Sequence, residues 1–162
     1  MKNSKVISGD IIKLAKKGYF DAIIHGCNCQ HNMGAGLAKQ IALEFPEAKT
    51  ADDNFTNPSM GDYSWARVLS HDFTIYNLYS QFWYGAPYGH PRALDSQIYN
   101  FDTRIGRENA ITRGLKRINA LCEGKIVGVP KIGCGLACGN WDIVKPIIEK
   151  EMKGCFLTFI LK

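Results

Sequence analysis

The feature that most constrains this chain is a pair of glycine-rich segments, each lying between a short apolar run and an amphipathic one. The first is Gly26-Cys27-Asn28-Cys29-Gln30-His31-Asn32-Met33-Gly34-Ala35-Gly36, and the second is Pro130-Lys131-Ile132-Gly133-Cys134-Gly135-Leu136-Ala137-Cys138-Gly139. The apolar runs before them, residues 22–25 and 125–129, have the length and bounding residues of strands buried on both faces. After the first, Leu37, Ile41 and Phe45 recur at i, i+4 and i+8, a helix that Pro46 ends. Strand, small-residue loop and helix in that order build open α/β sheets. In such sheets ligands bind beyond the carboxyl ends of the strands, where small residues let backbone N–H groups approach an anion. A single such loop is as readily a plain connection, so it is the pair that points to a site, with room for a diphosphate between them. Neither loop has the Gly-Lys-Ser/Thr of a P-loop or the GxGxxG of a dinucleotide fold.

The rest of the chain reads as more of the same alternation. Residues 5–8 form a strand, and Ser8, Gly9 and Asp10 then cap a helix with Ile11, Leu14 and Ala15 inward, closed by Gly18. A short helix and a loop follow over 46–62. Strands are predicted at 65–69 and 73–79, and a helix opened by Asp102 carries Ile111, Leu115, Ile118 and Cys122. A further helix spans 141–153, with Pro146 predicting an irregular start or kink, and a strand closes the pattern at 155–161. This predicts an α/β fold, a three-layer α/β/α unit around a mostly parallel mixed sheet, with residues 1–162 as one domain. Residues 81–101 break the pattern. They hold Phe82, Trp83, Tyr84, Tyr88, Tyr99 and Phe101 among turn formers, too aromatic for disorder and suited to stacking or to covering a site.

Composition narrows the partners. The net charge of +5 over 162 residues suits an anionic ligand and is too mild to demand a polymer. Arg104, Arg107, Arg113, Lys116 and Arg117 gather on one predicted helix, either the solvated face of an amphipathic helix or a nucleic-acid surface. The polar start and the absence of any long apolar stretch predict neither signal peptide nor membrane span, hence a cytoplasmic protein whose six cysteines are thiols. Cys27, Cys29, Cys134 and Cys138 are spaced poorly for zinc, and no metal is expected. Cys134 has the setting of a nucleophilic thiol, but no arginine follows to complete an anion cradle.

On the stretches Ile7-Ser8-Gly9-Asp10-Ile11-Ile12, Ile23-Ile24-His25-Gly26-Cys27-Asn28 with Met33-Gly34-Ala35-Gly36-Leu37-Ala38, and Val129-Pro130-Lys131-Ile132-Gly133-Cys134-Gly135-Leu136 before Trp141, the chain resembles the macrodomain family over nearly its whole length. Within it, His-Gly-Cys-Asn-Cys and the segment after it resemble the ADP-ribose 1''-phosphate phosphatases, while Pro-Lys-Ile-Gly-Cys-Gly-Leu resembles the terminal ADP-ribose glutamate hydrolases. The size also resembles small stand-alone macrodomains of bacteriophages, which would place the protein in the host cytoplasm.

The resemblance implies ADP-ribose, or a 1'' derivative, as ligand, with no cofactor. It implies contacts from Gly9, Asp10 and Ile11, from Cys27, Asn28, Met33, Gly34, Ala35, Gly36 and Leu37, and from Ile132, Gly133, Cys134, Gly135, Leu136 and Ala137. Asp10 would accept from the adenine amino group, a role compatible with helix capping. Residues 133–137 would wrap the diphosphate, and 33–36 would meet the distal ribose. His25, Asn28 and Asp142 are the catalytic candidates: His25 as base or water activator, Asn28 to orient the ribose, Asp142 to activate water or only to cap its helix. Two departures bear on mechanism. Residues 77–92 hold no lysine, and Ala137 stands where the glutamate hydrolases have an aspartate, so a lysyl covalent intermediate is not expected. The expected activity is hydrolysis of ADP-ribose 1''-phosphate or a related O-linked group. The alternatives are a module that reads ADP-ribosyl groups on macromolecules, and nucleic-acid binding through the basic helix.

Overall fold

The computed structural model describes residues 3–162. The elements, in order, are β1 (Ser4–Ser8), α1 (Ile11–Lys16), β2 (Ala22–Asn28), α2 (Gly36–Glu44), α3 (Pro46–Asn54), β3 (Tyr63–Val68), β4 (Phe73–Gln81), α4 (Arg104–Leu121), β5 (Ile126–Val129), α5 (Trp141–Glu151) and β6 (Phe156–Leu161). The sheet order is β1-β6-β5-β2-β4-β3. Five strands run parallel, and β3 alone pairs antiparallel, at the edge, with β4. The predicted α/β/α layering and mostly parallel mixed sheet are therefore what the chain forms.

The two faces of the sheet are separate cores. On one, Ile24, Leu78, Val127 and Phe159 meet Ile111, Leu115 and Ile118 of α4 and Val144 and Ile148 of α5. On the other, Ile23, Phe73, Ile75 and Ile160 meet Ile11, Ile12, Ile41 and Ala48 of α1, α2 and α3. Alternate residues of β2 thus belong to opposite cores, which is why Ala22, Ile23 and Ile24 are all apolar. Cys122 and Cys155 are buried in the first core. Among the described residues no helix is long and apolar enough to cross a membrane.

Two sequence readings change. The strand expected at 22–25 continues to Asn28, because residues 26–28 still pair with Leu78, Tyr79 and Gln81 of β4, so the first glycine loop is shorter than its composition suggests. Asp102 does not open α4. Thr103 is its cap, accepting from the Gly106 N–H, and Asp102 is fully buried. The Asp102 carboxylate takes Nε and Nη2 of Arg107 at 2.7 and 2.9 Å together with the backbone N–H groups of Phe82 and Trp83. Arg107 is accordingly interior and not part of a solvated basic face. Pro146 lies inside α5, a helix capped at its start by Asn140.

Candidate functional site

The pairing between β2 and β5 is brief: Ala22 with Val127 and Ile23 with Gly128. Beyond it the chain leaves β2 toward α2 and α3 on one face and leaves β5 toward α5 on the other. That divergence is a topological switch point, and a crevice opens there by construction. Both glycine loops flank it.

The resulting cavity, about 790 Å³, lies across the carboxyl ends of all five parallel strands. At the usual strand spacing that is a span of roughly 19 Å. Gly9, Asp10 and Ile11, with Ile160 and Lys162 at the end of β6, line it at the β1 edge. His25, Gly26, Cys27 and Asn28 supply its floor from β2, and Gly34, Ala35, Gly36 and Leu37 one wall. Ile132, Gly133, Cys134, Gly135, Leu136 and Ala137 supply the opposite wall. Two residues named from the sequence lie elsewhere. Met33 is buried in the core beside Ile41, and Asp142 sits exposed in the first turn of α5, where its N–H bonds Asn140 Oδ1, outside the cavity lining. Gln81 and Gly85, not named from the sequence, join the lining at and beyond the end of β4, together with Tyr84, one of the loop aromatics suited to stacking or to covering a site. The missing lysine of 77–92 was a further signal that pointed to this strand end. The aromatic loop does not float over the site. Arg107, held by Asp102, bonds Gly85 O at 2.8 Å and Ala137 O at 3.3 Å and so clamps that loop to the second glycine loop.

Asp10 caps α1 with Oδ1, which accepts from the N–H groups of Ile12 and Lys13 at 2.9 and 3.3 Å. Among the described residues no bond engages its second oxygen. Asn28 is committed to its own loop. Its Oδ1 accepts from Gln30 and Asn32 N–H, and its Nδ2 donates to Asn32 O at 2.8 Å. His25 is 1% exposed, with Nε2 2.6 Å from Asn77 Oδ1, and burial pulls its pKa down to about 4, so it is a neutral imidazole near neutral pH. Burial pushes the Cys27 thiol well up and the Cys29 and Cys134 thiols to about 12 and 11. No thiolate nucleophile is formed at these positions.

Charged side chains in the lining are few: Asp10, Lys131 and Lys162 among the described residues. The β4 end of the cavity carries only the neutral polar groups of His25, Cys27, Asn28, Asn32, Gln81 and Tyr84. The loop cysteines do not gather as a metal site. The cluster of described residues with suitable ligands is His31, Asp52 and Asp53, and its cation position is held by Lys49, whose Nζ is 2.6 Å from Asp53 Oδ1 and 3.7 Å from Asp52 Oδ2. The basic face of α4 is also partly spent. Arg113 bonds Met60 O, and Arg117 pairs with Asp62 and lies over the Tyr63 ring.

Comparison with known proteins places this arrangement. No family model matches the chain. A 17.5 kDa protein from the tk-vs intergenic region of Enterobacteria phage T4 is 32% identical over 155 residues, covering 90% of this chain and 87% of that one. An ADP-ribose 1''-phosphate phosphatase of Candida glabrata is 24% identical over 169 residues, 93% of each. Among solved structures, the macrodomain of Mycobacterium tuberculosis DarG superposes with a TM-score of 0.74 at 19% identity, over 98% of this chain and 97% of the other.

Proposed function

We propose, from the premise that this chain belongs to the macrodomain family, that its cavity binds ADP-ribose and that the protein hydrolyses ADP-ribose 1''-phosphate or a related O-linked derivative. The observation that carries the reading is the distribution of charge along the cavity. A carboxylate with one uncommitted oxygen stands at the β1 end, two glycine loops face each other in the middle, and the β4 end is polar but uncharged. That order matches a ligand with an amino-bearing base, a diphosphate and a distal sugar. The carboxylate accepts from the base amine, and loop N–H groups meet the diphosphate. The neutral far end admits an anionic 1'' substituent without a like charge to oppose it.

The β4 end has neither lysine nor ionised thiol, so the transfer is written to water. The water oxygen bonds phosphorus, the bond from phosphorus to the 1'' oxygen breaks, and a proton ends on that oxygen. In this scheme Gln81 and Tyr84 bound the volume around the reacting group, and Asn28 acts by shaping residues 30–34. The C. glabrata relative supports the reaction class at low identity.

A second reading, a module that binds ADP-ribosyl groups without turnover, is favoured by the position of Asp142 outside the cavity and by the burial of His25. Calorimetric titration with ADP-ribose, followed by phosphate release from its 1''-phosphate, separates the two. Saturable binding with release establishes the hydrolase, and binding without release leaves the reader. Absence of binding removes both.

A further inference from the structure

Behind the floor of the cavity lies a chain of buried side chains in which every proton can be assigned. Asn77, on β4, is fully buried beside His25, its register partner on β2. Its Nδ2 donates to Ala48 O at 3.0 Å. A carbonyl only accepts, so this bond identifies the nitrogen end of the amide and turns Oδ1 toward His25 Nε2, 2.6 Å away. Nε2 therefore carries the imidazole proton. The second Asn77 N–H donates to Ser64 Oγ at 3.0 Å, the Ser64 hydroxyl donates to the Tyr79 hydroxyl oxygen at 3.0 Å, and Tyr79 donates to Asp52 Oδ1 at 2.8 Å. Ser64, Tyr79 and Asp52 are all buried, and burial keeps the Tyr79 phenol protonated by raising its pKa. Four donors thus point one way, from the cavity floor to a carboxylate under α3, and hydrogen bonds aligned in this manner strengthen one another. At the far end His31 Nδ1 and Lys49 Nζ approach the same Asp52 carboxylate at 3.1 and 3.7 Å.

We propose that Asn77, held by Ser64, Tyr79 and Asp52, is a positioning residue that fixes His25 in the Nε2–H form and so presents Nδ1 to the cavity as a hydrogen-bond acceptor. The consequence for the ligand rests on the function proposed above. An acceptor nitrogen receives a sugar hydroxyl or a water and does not pair with a phosphate oxygen, so His25 discriminates for a hydroxyl donor at the cavity floor. The Cys27 sulfur lies against the ring, 3.8 Å from Nδ1 and 3.6 Å from Nε2.

The test is nitrogen-15 NMR of the histidine rings in the full chain without ligand. A single Nε2–H tautomer for His25, with a slowly exchanging ring proton, is expected. A dominant Nδ1–H form or a mixture overturns the proposal. Tyr79→Phe removes one hydroxyl from the chain with almost no change of volume, and it is expected to hasten exchange of the His25 ring proton about tenfold. Exchange unchanged in a folded Tyr79→Phe protein overturns the part assigned to the chain, and Ser64→Ala, read the same way, serves if that variant fails to fold. Because the readout needs no turnover, absence of phosphate release alongside the expected spectrum removes the hydrolase reading and leaves the tautomer assignment standing.

Discussion

In the first glycine loop the backbone is held by side chains. Asn28 makes three bonds across it, Asn32 Oδ1 accepts from Gly34 N–H, His31 reaches Asp52, and Lys49 donates to His31 O at 2.7 Å. The second loop is held mostly by itself. Ile132, Cys134, Cys138 and Gly139 donate their N–H groups to Pro130, Lys131, Gly135 and Gly133, while Gly133 and Cys138 take φ of 69° and 61°. Arg107, bonding Ala137 O, is the long side chain that reaches it from outside. Two walls of one cavity are thus built on different rules. The first is a scaffold of polar side chains that depends on its amides, and the second is a backbone fold that tolerates side-chain changes where space allows.

The largest effect is expected where the second loop does depend on a side chain. Arg107→Met leaves the fully buried Asp102 carboxylate without its cation and frees the aromatic loop from the second glycine loop. Breaking a buried pair in this way costs about 3–5 kcal/mol, to be read by chemical denaturation. A loss below about 1 kcal/mol would mean the second loop needs no help from outside and would sharpen the contrast further.

Next comes Gly139. A Cβ there would collide with the Gly133 carbonyl, the acceptor of the Gly139 N–H bond that closes the loop. Gly139→Ala is expected to destabilise by about 1–3 kcal/mol, the usual range for forcing a methyl group into filled space, and to weaken ADP-ribose binding with it. The corresponding change in the first loop is Asn28→Ala, which strips three bonds from a nearly buried amide and leaves Asn32 O and two N–H groups to find water. A loss of about 1–2 kcal/mol is expected in thermal or chemical unfolding. Equal tolerance of both substitutions would erase the distinction between the loops.

Much of this was legible in sequence. The alternation of apolar runs and capped helices is local, and so the layers and most of the element bounds could be read from it. The continuation of β2 through Gly26 and Cys27 was not, because glycine and cysteine carry no strand pattern and only pairing with β4 extends them. Asp102 looked like a cap because an acidic residue before an apolar repeat usually is one, whereas its five donors are Arg107 twice, Gln97 and the distant N–H groups of Phe82 and Trp83. The floor of the cavity fared similarly. His25 and Asn28 stood out by type and position, whereas Asn77, Ser64 and Tyr79 sit in ordinary strand sequence, and only the folded sheet brings them behind His25.

The smallest expected effect on stability is also the most informative about the second loop. Gly135 has no left-handed φ, and a Cβ built on it meets nothing within 4 Å, so Gly135→Ala should change unfolding free energy by less than about 0.5 kcal/mol. Yet Gly135 is one of the residues that line the cavity. If the loop works by bringing backbone N–H groups close to a diphosphate, a methyl group at that position stands where the ligand would be, and ADP-ribose affinity should fall about tenfold or more in calorimetry while the melting curve stays in place. Gly139→Ala and Gly135→Ala then form a pair within one loop, one acting through the fold and the other through the ligand. If Gly135→Ala binds as the parent does, the empty space at Gly135 is not where the diphosphate lies, and the second wall must meet the ligand through its other lining residues, such as Gly133 and Leu136.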